Sequence, residues 1–220
     1  MNLRFEVVLD NFPRFLIGLW NTMWLSGLGM AAATVLGLLL LIPLIAPRPV
    51  FRSTARTFVD AARSVPFLLL IYMAYYALPQ WGLTLDRWTT ALVTIVVYNA
   101  AYVAEILRSA WLSIPNGQME AAHAFGFNDF RLFKRIIAPQ VLLLSGPMLG
   151  NQFIQVVKDS AFLAMITIPE LTYAARSIQS RYLVPFESFI VAALMYWLLC
   201  VVIELGVQYV EKVRDGYVRY

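Results

Sequence analysis

Residues 15–46 read FLIGLWNTMWLSGLGMAAATVLGLLLLIPLIA, a run of 32 residues without one charged side chain. A helix that crosses the roughly 30 Å hydrocarbon core of a bilayer needs only about 20 residues. Of all 220 residues, 60% are hydrophobic and 14% are charged, whereas about 25% are charged in soluble domains. This composition predicts an integral membrane protein. It excludes a soluble enzyme, a disordered tail and a secreted scaffold held by disulfides.

Four further apolar segments reach spanning length. Residues 64–85 and 136–157 carry no charge, and residues 88–104 and 188–203 each end at one glutamate and continue apolar beyond it. The sequence therefore predicts an all-α protein with five transmembrane helices, in a single domain over residues 1–220. We expect the spans near residues 13–46, 60–81, 86–111, 134–158 and 186–210. Residues 160–169, SAFLAMITIP, are too few to cross and are expected to form a re-entrant or interfacial segment.

The basic residues orient these spans, because cytoplasmic loops carry an excess of lysine and arginine. With five spans, eleven basic residues gather on one side of the membrane and six on the other. The richer side is predicted to be cytoplasmic, which places the N-terminus outside and the C-terminus inside. The eleven are Arg48, Arg52, Arg56, Arg63, Arg108, Arg131, Lys134, Arg135, Lys212, Arg214 and Arg219, and the six are Arg4, Arg14, Arg87, Lys158, Arg176 and Arg181.

The cytoplasmic segment at residues 113–140 reads SIPNGQMEAAHAFGFNDFRLFKRIIAPQ and predicts two short helices joined by a glycine turn. Gly117 is an acceptable N-cap, and Glu120 places a carboxylate at the positive end of the first helix. This helix is expected over residues 120–125. Gly126 then favours a left-handed stop, since glycine adopts positive φ without steric cost.

The second helix of this segment is expected over residues 129–137, with Asn128 as its N-cap. Pro139 lacks an N–H and is expected to kink the chain where the fourth span begins. Two interpretations fit the pair of helices. It either docks in a groove on another protein, or it is a membrane-surface pair that merely connects two spans.

One spacing in this segment is specific. Glu120-Ala121-Ala122, then Gly126, then Ile136 and Pro139 resemble the "EAA, three residues, G, nine residues, I-x-L-P" loop of ATP-binding-cassette (ABC) importer permeases. The one departure is Ala138, where that family usually has leucine. The blocks RSVPFLLLIYMAYYALP, YNAAYVAEILRSAWLSIPNGQMEAA, LGNQFIQVVKDSAFLAMITIPELTYAARSI and FESFIVAALMYW also resemble the polar amino-acid permease subfamily, the histidine/glutamate/glutamine group.

The resemblance implies a type I ABC importer permease core with a cytoplasmic coupling helix, in a bacterial cytoplasmic membrane. Its implied partners are an ATPase dimer, a second permease half (the same or a homologous chain), an extracytoplasmic solute-binding protein and a polar amino acid. The chain has no G-x-x-x-x-G-K-[ST] phosphate loop, so the partner ATPase would bind ATP and Mg, and no cofactor is expected in this chain. The residues expected to contact or shape the ATPase interface are Gly117, Glu120, Ala121, Ala122, Gly126, Ile136 and Pro139.

Polar groups inside a span are costly, at least about 2.5–3.5 kcal/mol near the helix centre, and by default indicate function. The candidates here are Thr22, Asn99, Glu105, Lys158 and Asp159. In the family that the chain resembles, polar groups at comparable positions contribute to a small amino-acid site or gate. Glu105 also lies three residues before Arg108, so a structural ion pair is an open alternative to a place in the substrate pathway.

Other classes of function remain as alternatives. An ion-coupled secondary carrier or channel would explain Glu105, but such carriers usually have more spans and inverted repeats. A membrane-embedded enzyme is less favoured. The chain has one histidine (His123), one cysteine (Cys200) and no pair of carboxylates within one span, so these residues form no catalytic constellation. We therefore predict no catalytic residue, no metal site and no nucleic-acid partner.

Overall fold

The computed structural model of the chain describes residues 3–218, with side chains through residue 212. Arg219 and the side chain of Arg214, two of the predicted cytoplasmic charges, lie outside the described residues. Every regular element within residues 3–218 is helical. The α-helices are α1 (Phe5–Asp10), α2 (Phe12–Leu44), α3 (Pro49–Ser64), α4 (Phe67–Tyr72), α5 (Arg87–Leu112), α6 (Asn116–Ala124), α7 (Asp129–Leu132), α8 (Ala138–Asp159), α9 (Leu171–Tyr182) and α10 (Pro185–Val218). Two π-helical turns (Met73–Ala77 and Phe133–Ile137) and two 3-10 helices (Leu78–Trp81 and Ser160–Ile166) join them.

Four helical segments are long and apolar enough to cross a membrane. They are Phe12–Leu44, Arg87–Leu112, Asp129–Ile166 and Pro185–Lys212, so four of the five predicted spans are single helices of spanning length. Residues 160–166, expected to be a re-entrant or interfacial segment, form a 3-10 helix that follows α8 directly. Leu163 and Ile166 of that helix are fully buried.

The second predicted span, residues 60–81, is not one continuous helix; it belongs to a bent pair that counts as a fifth candidate span when its two parts are taken together. The chain forms Pro49–Ser64 and Phe67–Trp81, which meet at a bend of 97°. Pro66 supplies no N–H, and it drives Val65 into extended backbone (ψ 131°). The first half of the bent pair also begins well before residue 60, in a stretch that the sequence assigned to a cytoplasmic loop.

The most extensive helix packing is between α2 and α5. A Cβ added to Gly29 would lie 2.5 Å from Ile95 Cγ2, and one added to Gly37 would lie 2.5 Å from Val103 Cγ1. Only glycine allows the two backbones to approach this closely, as in small-xxx-small packing of membrane helices. This contact fixes α5 at the centre of the molecule.

The molecule has two ends across the membrane, and α9 lies at one of them. There, Arg87 Nη1 donates to Thr167 O (3.2 Å) and Arg4 Nη2 donates to Tyr182 O (2.8 Å). At the opposite end, Leu44 and Leu112 line one hollow where α2 and α5 both finish. We call these the α9 end and the α6 end. Residues of the basic-rich set lie at the α6 end.

Candidate functional site: a polar cavity and the α6–α7 segment

A polar cavity of about 250 Å³ lies between α4, α5 and α8. Aromatic rings form much of its wall, and two amides and one carboxylate are the remaining polar groups. Since polar side chains are rare inside a membrane, this concentration makes the cavity a candidate functional site. The lining residues are Pro66, Phe67, Leu68, Tyr98, Tyr102, Gln152, Gln155, Asp159 and Phe162.

Asp159 supplies the carboxylate of this cavity. Asp159 is only 7% exposed. Its carboxylate accepts one hydrogen bond, from Gln155 Nε2 at 2.9 Å. An ionised carboxylate can accept about four. Among the side chains that the structure describes, no basic group lies within 4 Å of it. The carboxylate therefore has unused acceptor capacity beside an open volume, as a site for an ammonium group requires.

The aromatic wall reinforces the preference for a cation. The Phe67 ring centroid lies 5.3 Å from that of Tyr98 and 6.4 Å from that of Phe162. The hydroxyl groups of Tyr98 and Tyr102 lie 3.1 Å apart. Aromatic faces attract cations through the ring quadrupole, so the wall and Asp159 favour the same kind of ligand group.

Asn99 lies behind the cavity, not in its wall. It is fully buried; its Nδ2 donates to Ile95 O at 2.8 Å, and its Oδ1 accepts from Gln152 Nε2 at 2.8 Å. The second N–H of the Gln152 amide remains for a ligand. Asn99 thus orients a group that lines the cavity.

The other three predicted pathway residues lie elsewhere. Glu105 accepts from Arg108 Nε (2.8 Å) and Nη2 (2.6 Å), so its carboxylate is paired on its own helix. Thr22 is buried and accepts from Leu171 N at 3.3 Å, where α2 meets α9. Lys158 lines a different groove, of about 590 Å³, between α8 and α10.

Sequence reasoning missed the two glutamines and the aromatic wall. A signal was present: Gln152, Gln155 and Asp159 recur at three and four residues and so share one face of α8. Tyr98 and Tyr102 are likewise one turn apart on α5. Amides carry no charge, so a search for charged groups inside spans passes over them.

A second buried carboxylate, Glu170, was also missed. It follows the fourth span, is fully buried, and accepts from Tyr173 N (2.6 Å), Thr172 N (2.8 Å) and Tyr196 Oη (2.6 Å). Burial raises the pKa of Glu170 to about 7, against the lowering effect of these hydrogen bonds. Glu170 caps α9 and ties it to α10.

The α6–α7 segment has the expected helix–turn–helix form, but the bounds of both helices differ from the prediction. Helix α6 begins at Asn116, with Pro115 in the capping position. The prediction of Gly117 as the N-cap is therefore wrong. Proline fixes φ near the helical value and needs no hydrogen-bond acceptor for an N–H, so it is well suited to start a helix there.

The turn between α6 and α7 is built on Gly126. Its φ is 76°, the left-handed value that was predicted. Its N–H donates to His123 O (2.9 Å), and the N–H of Phe127 donates to Ala122 O (3.0 Å). This pair of bonds is a Schellman motif. Asn128 then caps α7, with Oδ1 accepting from Arg131 N at 2.9 Å, as predicted.

The second helix does not end at residue 137 as expected. A π-helical turn at Phe133–Ile137 carries α7 directly into α8. Pro139 stands in the first turn of α8, where its missing N–H makes the wider turn possible. Trp111 of α5 packs against Phe133, with ring centroids 6.0 Å apart, and so anchors the segment.

The outer face of this segment exposes apolar side chains. Phe125 is 84% exposed and Phe130 is 71% exposed. Ala122 is buried against the rest of the chain, while Glu120 and Ala121 are exposed. A rigid turn that presents two phenylalanines outside the membrane has the geometry of a docking surface.

Residues 27–214 match a known family, described as the binding-protein-dependent transport system inner membrane component. The chain belongs to this family.

Named relatives of the permease are transport proteins of similar length. It is 33% identical over 207 residues to the probable glutamine ABC transporter permease protein GlnM of Bacillus subtilis, covering 94% of this chain and 96% of that protein. It is 30% identical over 214 residues to the glutamine transport system permease protein GlnP of Escherichia coli K12, covering 96% and 98%. These matches confirm the resemblance to amino-acid permeases.

Solved structures show the same fold. A crystal structure of an amino acid ABC transporter with histidines matches with a TM-score of 0.90 at 27% identity, covering 96% of this chain and 99% of that one. The inward-facing MetNI methionine ABC transporter matches with a TM-score of 0.71 at 21% identity, covering 90% and 96%. The permease therefore has the type I ABC permease fold.

Proposed function

We propose that the chain is the permease half of an ATP-driven importer of polar amino acids in a bacterial cytoplasmic membrane. The observation that carries the substrate class is Asp159, an under-coordinated carboxylate beside an aromatic-walled cavity. The names of the relatives support the same class, since they include glutamine and other amino-acid permeases.

The cavity suits the part that all amino acids share. The α-ammonium group would lie against Asp159 and the rings of Phe67 and Tyr98, where charge-assisted hydrogen bonding and cation–π attraction act together. The free N–H of Gln152 would donate to the α-carboxylate. The side chain of the amino acid would occupy the rest of the roughly 250 Å³ cavity, next to Phe162 and Tyr102.

The α6–α7 segment would transmit the work of a separate ATPase dimer. Phe125 and Phe130 would fill a groove on the ATPase, and Glu120 and Ala121 lie on the exposed side of α6. Gly126 would hold the turn, while Ile136 and Pro139 would carry the movement into α8. ATP and Mg would be bound by the ATPase, and this chain would carry out no chemical step.

A second permease half would cover the groove between α8 and α10. Lys158, Glu204 and Asn151 line it, and all three are exposed within spanning helices. Charges facing lipid are costly, so a second chain, either a copy of this one or a homologue, would bury them. The low burial of α10 supports this, since 11% of its most apolar window is buried, against 61% for α5.

The orientation follows from the uneven charge of the two ends. The α6 end, which is rich in basic residues, would face the cytoplasm and the ATPase. The α9 end would face outward and receive the amino acid from a solute-binding protein.

The test is uptake by the reconstituted complex. The permease would be purified with its ATPase and binding protein, placed in proteoliposomes, and supplied with labelled glutamine, glutamate and histidine. We expect uptake that needs both ATP and the binding protein. Uptake driven by an ion gradient without ATP would instead identify a secondary carrier.

A further inference from the structure

A separate pocket of about 370 Å³ lies at the α6 end, where α2 and α5 finish beside α3. The proposed transport cycle makes no use of it. One side of the pocket is cationic and the other apolar. It is lined by Leu44, Ile45, Arg52, Arg56, Arg108, Trp111 and Leu112.

Helix α3 holds the cationic side in place. Ala55 and Val59 of α3 are buried in one cluster with Ala101 and Ala104 of α5. At about 100° per residue, Arg52 and Arg56 share the flank of α3 next to that buried stripe. Their guanidinium groups therefore line the pocket as a consequence of how α3 packs.

The carboxylates nearby neutralise this side only in part. Glu105 is paired with Arg108, and Asp60 is 3.8 Å from Arg56 in an exposed contact, which is a weak interaction. Among the side chains that the structure describes, Arg52 has no carboxylate within 4 Å. The pocket therefore keeps unused guanidinium donors that suit an anion.

The apolar side indicates which anion. Leu44 and Ile45 end α2, Leu112 is 63% exposed, and Trp111 is the kind of side chain that lies at a membrane interface. On the opposite flank of α3, Phe51 is 55% exposed, as expected for an amphipathic helix in the interface. A free phosphate ion would use only the arginines, whereas a phospholipid would use both sides.

We propose that this pocket binds the phosphate headgroup of an anionic phospholipid, with Arg52 and Arg56 on the phosphate and the acyl chains along Ile45 and Leu112. Basic pockets between membrane helices are suited to such headgroups. Because Trp111 also packs on Phe133, a bound lipid braces the base of the α6–α7 segment. Lipid binding requires only the membrane location, whereas an effect on ATP hydrolysis also rests on the proposed function.

The test compares two double variants of the purified complex. Arg52→Gln with Arg56→Gln removes the two pocket charges, and Arg48→Gln with Lys212→Gln removes two charges that do not line the pocket. Arg108 is left unchanged because it pairs with Glu105. Each protein is delipidated, titrated with phosphatidylglycerol, and the bound lipid is counted by native mass spectrometry. An interfacial arginine contributes about fivefold to anionic-lipid binding, so the pocket variant should bind about 30-fold more weakly, and the control should match the unmodified protein.

Three results would overturn the proposal. The first is an equal loss in both variants, which would mean a general surface charge. The second is displacement of phosphatidylglycerol by inorganic phosphate at millimolar concentration, which would make the ligand a free ion. The third is unchanged lipid binding with loss of the ATPase from the pocket variant on size-exclusion chromatography, which would make the pocket an ATPase contact.

A functional measurement follows the same comparison. In phosphatidylcholine nanodiscs, 25% phosphatidylglycerol should stimulate ATP hydrolysis by the unmodified complex and should not stimulate the pocket variant. Equal stimulation of that variant would show that lipid acts at another place.

Discussion

Two buried carboxylates, Asp159 and Glu170, differ in what surrounds them. Glu170 accepts three hydrogen bonds of 2.6–2.8 Å from α9 and α10, and no cavity adjoins it among those described. Asp159 accepts one, from Gln155, and borders a cavity. A carboxylate whose acceptor capacity is used by the fold holds the fold together, whereas one left partly unused is available to a ligand. Burial alone does not distinguish the two.

Substitution of Glu170 should give the largest loss of stability. Glu170→Ala removes the acceptor of two backbone N–H groups, at about 1–3 kcal/mol each. That is a large part of the stability of a typical protein. The change also leaves the Tyr196 hydroxyl only the longer contact to Thr172 Oγ1 at 3.2 Å. Yield and the thermal midpoint of the detergent-purified protein should both fall sharply. Glu187→Ala is the matched control, because the Glu187 carboxylate accepts a single hydrogen bond, from Arg4 N. A normal yield of Glu170→Ala would refute the structural role of Glu170.

Glu105 is an intermediate case, since its carboxylate is satisfied by one side chain of its own helix. Glu105→Gln should leave Arg108 with only part of its hydrogen bonding. The protein should lose about 1–3 kcal/mol of stability, and its yield should fall. Adding Arg108→Gln should restore most of it, because the two residues are coupled. Uptake per mole of assembled complex separates the alternatives. If the single variant folds normally but transports poorly, and the second change does not rescue it, Glu105 belongs to the pathway after all.

The same contrast between a position fixed by the fold and one left free applies to two glycines of the α6–α7 segment. Gly126 has φ 76°, whereas an added Cβ at Gly117 meets nothing within 4 Å in ordinary helical backbone. Gly126→Ala should cost about 1–2 kcal/mol of strain and weaken ATPase binding by about 5- to 30-fold. Gly117→Ala should leave this chain's own fold unaffected. Pull-down of the ATPase by each variant measures the difference, and equal binding would show that the turn is not needed for docking.

The pH dependence of stability tests the surroundings of Glu170 without a substitution. The pKa of Glu170 is raised from 4.5 to about 7, so the folded state holds the proton more tightly than the unfolded chain. Its stabilising contribution is then full below about pH 4.5 and is lost as the pH rises through about 7. The thermal midpoint of the unmodified protein should fall over that window, and that of Glu170→Gln should not. Parallel profiles would mean that Glu170 is ionised throughout.

Local patterns in the sequence account for what could be predicted. The four spans that form single long helices are centred on uncharged runs, the Gly126 turn needs only a residue that tolerates positive φ, and the Glu105–Arg108 pair lies within one helical turn. The bend at Pro66 also had a local signal, since the residue before a proline avoids helical backbone. Hydropathy alone gives no sign of this bend, because the apolar run continues through Pro66.

The cavity could not be predicted because its parts come from distant segments. Phe67 and Asp159 meet across it only because α4 turns back over α5 after the 97° bend. Glu170 likewise depends on Tyr196, 26 residues further along the chain. Whether a buried carboxylate is satisfied is a property of such long-range contacts, so sequence reasoning could propose Asp159 but could not separate it from Lys158 or Thr22.

The most direct test of the account is uptake by Asp159→Asn. The change is nearly isosteric, keeps an acceptor for Gln155, and removes only the charge offered to the substrate ammonium. Glu170→Gln is the comparator. In proteoliposomes that contain the full transporter, we predict normal yield and normal ATPase association for Asp159→Asn. Its uptake per mole of complex at low substrate concentration should be about 10- to 100-fold lower, since a hydrogen bond to a charged group contributes about 1.5–3 kcal/mol. Unchanged uptake by Asp159→Asn would contradict the account.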